Sequence, residues 1–266
     1  MRNKRMQVLL GITAVSFFSM FAQTVSAAAI SWKIATPNSD WGTASNWAEG
    51  AVPGSNDTVT IWGKAVVTYM PEITNNVGSV AYLGLNWNQD TNQTVKLTLT
   101  GADAFLKVST GTYVNRSTAS TNALDGISSE INIYDGAIFQ TTRFRMGSGS
   151  DNSIAINVGA DSELRVWNPI ASTADIVDWG IGDHTINLLG VGATFSMTGP
   201  GDQSTLMQSW IDDGYITRDT ETTTGYSFSF DSTKNLTTLT AVPEPTTVGL
   251  FGVSLCGMFL LRKRLF

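Results

Sequence analysis

The stretch Ile131-Asn132-Ile133-Tyr134-Asp135-Gly136-Ala137-Ile138-Phe139 decides the reading of the fold. Its first residues alternate apolar and polar, an Asp-Gly turn follows, and a second apolar run begins at Ile138. Period-two alternation sends successive side chains to opposite faces of a strand, and Asp-Gly tolerates the backbone of a tight turn. The plan recurs at Leu97-Thr98-Leu99-Thr100-Gly101-Ala102, at Ile156-Asn157-Val158-Gly159-Ala160 and at Ile186-Asn187-Leu188-Leu189-Gly190-Val191-Gly192-Ala193. A second mark precedes the units at Leu83-Gly84, Met146-Gly147 and Trp179-Gly180. Gly84 and Gly180 stand 96 residues apart, three steps of 32, with Asn115 near the remaining step.

Tyr226-Ser227-Phe228-Ser229-Phe230 alternates in the same way, and no persuasive helix of ten or more residues stands between the two ends. Units this short cannot bury an apolar face alone and must stack. The pattern therefore predicts an all-β body, a single-stranded parallel β-solenoid. Ile133, Ile156 and Leu188 would face inward in aliphatic ladders, and Asn and Thr would occupy the corners. The Gly-Ala pairs are spaced unevenly, by 35, 23 and 33 residues. Loops of different length would leave the coils, and a jelly-roll β-sandwich stands as the alternative.

Composition narrows the chemistry. The 266 residues include one Cys and one His, which excludes a disulfide framework, a Cys-based zinc site and any site built from two histidines. Only 14% of residues are charged and 25 are Gly, unlike a helical bundle. The net charge of −6 argues against nucleic acid as a partner.

Both ends read as addresses. Arg2, Lys4 and Arg5 precede an apolar run over 8–22 and then Val25-Ser26-Ala27-Ala28-Ala29. A basic start, a short apolar run and small residues make a secretory signal peptide, with cleavage after Ala27 or Ala28. At the other end, Pro243-Glu244-Pro245 precedes an apolar run over 246–261 and the basic cluster Arg262-Lys263-Arg264. Two prolines around a glutamate form an extended, exposed joint. The apolar run can lodge in a membrane as a helix, with the basic cluster held on the cytoplasmic side. Cys256 lies within this run. Six of the sixteen basic residues and one of the 22 acids lie in the two ends, so the body carries ten against 21, a net of −11. The organisation expected is a signal peptide over 1–27, a Trp-rich N-terminal cap over 28–63, a repeat body over 64–241 and a C-terminal sorting segment with a transmembrane helix over 242–266.

The C-terminal pattern closely resembles the PEP-CTERM sorting signal, in which Pro243, Glu244 and Pro245 match the motif and Arg262, Lys263 and Arg264 its basic tail. The resemblance implies an exosortase-type processing protease as partner, a membrane-anchored precursor, and a Gram-negative bacterium that secretes exopolysaccharide. Trp41-Gly42-Thr43-Ala44-Ser45-Asn46-Trp47, Val52-Pro53-Gly54 and Asp57-Thr58-Val59-Thr60-Ile61 resemble the opening of autotransporter-like β-helix repeat proteins. Trp32, Trp41, Trp47 and Trp62 are half of the eight tryptophans. They suit an aromatic cap over the first coil, or a carbohydrate-binding platform whose ring faces stack on sugars.

Other candidates are weaker. Asp183-His184 sits in a polar turn and reads as a surface histidine. Glu49, Glu72, Glu130, Glu163 and Glu221 could supply a hydrolase pair, yet no pair can be placed from the sequence. Asp175, Asp178 and Asp183, or Asp212 and Asp213, could offer oxygen to calcium without matching a known ligand pattern. Arg143 and Arg145 flank Phe144 and share a strand face, and with Arg165 they could form a stripe for acidic sugars. No catalytic residue, metal or cofactor is expected. The sequence points to an exported, exosortase-sorted, non-catalytic protein of the envelope or extracellular matrix, structural or adhesive and linked to exopolysaccharide. A carbohydrate-binding module and a polysaccharide lyase or glycoside hydrolase on a β-helix are the alternatives.

Overall fold

A computed structural model describes residues 27–243, apart from 34, 37, 63–68, 87–93, 116–127, 148–151, 169–176, 179–181 and 220–224. The strands are β1 (Ala29–Ser31), β2 (Thr58–Ile61), β3 (Glu72–Ile73), β4 (Asn76–Leu85), β5 (Val95–Thr100), β6 (Phe105–Val114), β7 (Ser128–Tyr134), β8 (Ile138–Thr141) and β9 (Phe144–Met146). They continue as β10 (Ser153–Gly159), β11 (Glu163–Val166), β12 (Val177–Asp178), β13 (Asp183–Leu189) and β14 (Thr194–Thr198). A helix α1 (Ser204–Asp212) precedes β15 (Ile216–Arg218), β16 (Gly225–Asp231) and β17 (Leu236–Val242). The all-β expectation holds.

The strands form two sheets. The six-stranded sheet runs β15-β13-β10-β7-β5-β3 and is parallel throughout. The eleven-stranded sheet runs β1-β2-β4-β6-β8-β11-β14-β17-β16, with β9 against β6 and β12. It is parallel from β1 to β14 and antiparallel at β14–β17 and β17–β16. From β3 to β14 the chain passes from one sheet to the other and back, so each pass adds a strand beside the one before.

The register follows the alternation. Leu97, Ile131, Ile156, Ile186 and Ile216 stand side by side across the smaller sheet, and none is more than 1% exposed. Across the larger sheet Leu106, Phe139, Leu164, Phe195 and Leu239 form a second row, each fully buried. Ile133, Ile156 and Leu188 are fully buried, as the alternation requires. Burial of this apolar surface drives the folding.

Two features of the repeat shift. The turns that link the sheets are Gly101–Ala104, Tyr134–Ala137, Gly159–Ser162 and Gly190–Ala193, each closed by a hydrogen bond from its last N–H to its first carbonyl, at 2.9, 3.1, 3.2 and 3.3 Å. Two of the Gly-Ala pairs begin a turn and two end one, so these pairs are not equivalent positions; turn to turn, the intervals are 33, 25 and 31. Likewise Leu85, Val114 and Met146 are in register, which aligns the next residues Asn86, Asn115 and Gly147 at a corner. Asn115 fits the place expected of it, whereas Gly84 stands beside Tyr113 and is not the counterpart of Gly147. Asn86 and Asn115 have φ of 52° and 51°. A Cβ on Gly147 would lie 2.0 Å from the Asn115 carbonyl oxygen, so only glycine fits there. Trp179-Gly180 lies outside the described residues.

The corner expectation for Asn and Thr holds at Asn86 and Asn115 and at Thr74-Asn75, which links β3 to β4. Asn132, Asn157 and Asn187 lie mid-strand, on the outer face of the smaller sheet. Asn187 Nδ2 donates to Asn157 Oδ1 at 2.8 Å, Asn157 Nδ2 to Asn132 Oδ1 at 2.8 Å, and Thr217 Oγ1 to Asn187 Oδ1 at 2.6 Å.

The two ends of the stack close differently. At the first, β1 lies beside β2, and Trp41 N–H donates to the Glu72 carbonyl while Glu72 N–H donates to that of Ser39, at 3.0 and 2.7 Å. At the last, α1 packs against β15, β16 and β17 through buried Met207 and Trp210, and Trp210 meets Phe195 at 6.3 Å. This nine-residue helix was not expected; Gly214, at φ 83°, stops it. Among the described residues no helix is long and apolar enough to cross a membrane. The apolar run over 8–22 and the apolar helix expected over 246–261 lie outside the described residues.

Candidate functional site

The two expected processing joints flank strands of the larger sheet. Ala27 and Ala28 are exposed just before β1, and Pro243 is exposed just after β17. Seven strand spacings separate β1 from β17 in the sheet order, roughly 34 Å at about 4.8 Å each. At the first joint, Ala28 N–H donates to Asp57 Oδ1 at 3.0 Å, and Thr58 N–H donates to the Ala28 carbonyl at 2.8 Å. Asp57 Oδ2 accepts from Gly54 N–H at 2.7 Å, which fixes the carboxylate. Sequence reading missed this role of Asp57; its place in the Gly54–Asp57 turn was the available signal.

At the second joint, β17 is held on both sides, by β14 and by β16. Ala241 is 1% exposed, and Val242 pairs with Gly225. Pro243 has no N–H to continue the ladder, so the strand ends there. Glu244, Pro245, Arg262, Lys263, Arg264 and Cys256 lie outside the described residues.

Residues 241–264 match the PEP-CTERM protein-sorting motif. The PEP-CTERM match supports an exosortase substrate, made as an exported, membrane-anchored precursor that is then processed. The match begins within the last two residues of β17. No curated protein and no solved structure matches the chain.

The tryptophans are arranged as packing. Trp32, Trp41 and Trp47 are 3%, 0% and 0% exposed. Their rings meet edge to face, Trp32 with Trp47 at 4.9 Å and Trp41 with Trp47 at 4.7 Å. Trp47 Nε1 donates to the Trp41 carbonyl and Trp32 Nε1 to that of Tyr69, both at 2.9 Å. A sugar-stacking platform needs open ring faces, which these three do not offer; Trp62 is half-buried.

The remaining candidates are separated or engaged. His184 is not a surface residue: it is 3% exposed, in register with Ile154, and its Nε2 lies 3.2 Å from the Gly147 carbonyl. Its place at the first inward position of a strand overrode the polarity of its neighbours. Arg165 pairs with Glu163 and reaches Gln140 at 3.4 Å. Arg145 instead lies over the Tyr113 ring at 6.0 Å, in β9, which is not adjacent to β11. The three arginines therefore do not form one stripe. Glu130 pairs with Lys96 at 2.9 Å, Glu49 accepts from Ser31 N–H at 2.8 Å, and Glu72 from Ser39 Oγ at 3.1 Å. Glu221 and Asp175 lie outside the described residues. Asp212 accepts from Gln208 at 2.9 Å. Among the described residues no three of His, Cys, Asp and Glu are grouped to hold a metal.

Two tyrosines have raised pKa values. Burial pushes Tyr226 up to about 12, against a smaller opposing effect of Arg218. Burial and then the Glu130 charge raise Tyr134, with Lys96 opposing.

Proposed function

We propose that the body is a single-stranded parallel β-solenoid and that the mature protein is a non-catalytic structural or adhesive element of a Gram-negative envelope or extracellular matrix, in contact with exopolysaccharide. The observation that carries the solenoid is the parallel, in-register row from Leu97 to Ile216. A jelly roll would place antiparallel neighbours there. The Trp-rich segment over 28–63 serves as a cap, because the first coil would otherwise offer open edges. The structural role rests on how the described glutamates are used: each braces a strand or turn. Release of the body follows from the exposed joint at Pro243.

The Ala28–Asp57 contact fits a mature chain that begins at Ala28. Cleavage after Ala27 leaves a new ammonium at Ala28 beside the Asp57 carboxylate, an ion pair in place of a bond with only one charged partner. Cleavage after Ala28 discards that contact and the one to Thr58.

The test is expression in an exosortase-carrying Gram-negative host, with intact mass and cell fractionation. The expected product begins at Ala28, lacks the basic tail, and co-sediments with the host's exopolysaccharide. Replacing Pro243, Glu244 and Pro245 by alanine should hold the chain in the membrane. A full 28.5 kDa product from the wild-type gene contradicts the processing; a processed body that stays free of polysaccharide contradicts the matrix role.

A further inference from the structure

Most exposed sheet edges of this chain are short. Strand β1 has three residues, β15 three and β3 two, and residues 39–41 bond alongside β3. Strand β16 differs. It spans seven residues at the end of the larger sheet, and among the described residues no strand pairs with its outer edge. Exposed edges are usually blunted by Lys, Pro or a bulge. From Gly225 to Phe230 this one carries no charge and no proline.

From Tyr226 to Phe230 the strand alternates aromatic and serine symmetrically about Phe228. Tyr226 mirrors Phe230, Ser227 mirrors Ser229, and Phe228 maps onto itself. An antiparallel pair of such strands related by a two-fold axis places aromatic against aromatic on one face and serine against serine on the other. An isologous interface demands that self-match. The aromatic face is incompletely covered. Phe230 is 37% exposed, and a groove of about 510 Å³ lies beneath, lined by Gln208, Ile211, Arg218, Tyr226 and Phe228. The smaller sheet stops at β15, so among the described residues it supplies no strand opposite β16. Charge favours the same approach: two bodies of net −11 repel broadly, and the uncharged segment from Gly225 to Phe230 is where they can meet.

We propose that β16 is the docking strand of a homodimer, pairing antiparallel with β16 of a second copy about an axis through Phe228. The two larger sheets become one, and the aromatic rows close over both grooves.

The experiment compares the full chain with S227K/S229K, both purified in detergent micelles that cover the apolar ends, by light scattering corrected for detergent. Both serines are exposed, so the fold should not depend on them. Across the axis each introduced lysine faces another, and like charges directly opposite destabilise a strand pair. The wild type should have twice the 28.5 kDa chain mass, and S227K/S229K the single mass at the same concentration, with a cooperative melt retained at a somewhat lower temperature because the dimer no longer adds to stability. Should the lysines abolish the cooperative melt, S227C/S229C in a C256S background gives the answer: oxidation should yield a covalent dimer. A wild type at single mass overturns the proposal, whether the edge is left open or taken by another protein's strand. A lysine variant that keeps its fold and stays dimeric also overturns it, as does an uncrosslinked cysteine variant.

Discussion

Strand β10 carries a different ladder on each face. Inward, Ile156 lies between Ile131 and Ile186, wholly buried. Outward, the next residue, Asn157, accepts from Asn187 and donates to Asn132, both at 2.8 Å. The inner row tolerates variety: Leu97 and Ile216 occupy equivalent places, and the facing row mixes Leu and Phe. The outer row is more demanding, because Asn157 and Asn187 must each present a donor to one neighbour and an acceptor to the other. Apolar burial thus supplies the free energy, while the amides fix the register. A slip of one residue would turn every asparagine into the core.

The largest effect is expected inside. Ile156→Asp buries a charge with no partner, at a cost of several kcal/mol, against a total stability of about 5–15 kcal/mol. The body should unfold or lose its cooperative melt by circular dichroism. On the outer face, Asn157→Asp removes the donor to Asn132 and leaves two acceptors opposed. A loss of about 1–2 kcal/mol is expected at neutral pH, recovered in part as the introduced carboxyl protonates below about pH 4. Equal losses from both variants would erase the distinction between the faces; a larger loss from Asn157→Asp would invert it.

The smallest effect is at Tyr134, on the outer face beside the amide row, where its hydroxyl lies 3.3 Å from Asn132 Oδ1. Its pKa is raised in the folded state, chiefly by burial. The associated stability is fully present below the unfolded value near pH 10 and is lost as pH rises through the folded value. Tyr134→Phe should flatten the decline of melting temperature above pH 10 while leaving neutral stability nearly unchanged.

Much of this was legible in the sequence because period two is a strong signal. Leu97, Ile131, Ile156 and Ile186 could be aligned by eye, and the strands pair in that register. The Gly-Ala frame misled because several residue pairs satisfy one turn: Asp161-Ser162 does the work of Gly136-Ala137, with Ser162 Oγ accepting from Gly136 N–H at 3.0 Å. His184 misled because local polarity suggested a turn while the strand period pointed inward. The helix α1 was obscured by its length, although Met207 and Trp210, three apart, and Gly214 mark its buried face and its end. At the ends, local chemistry gave an apolar run behind an exposed Pro-Glu-Pro joint, and the resemblance of Pro243, Glu244, Pro245 and the basic tail gave the PEP-CTERM signal. The Asp57 contact to Ala28 spans 29 residues and needed the fold.

The central claim is the parallel, in-register stack, and paired cysteines test it most directly. Ala155 and Thr185 face each other across β10 and β13. Neighbouring strands lie about 4.8 Å apart, within the reach of a disulfide. In a C256S background, A155C/T185C should oxidise rapidly to an intramolecular disulfide, whereas A155C/N187C, offset by two residues, should stay reduced. Cross-linking of the offset pair in preference to the registered one, or of neither, would contradict the stack.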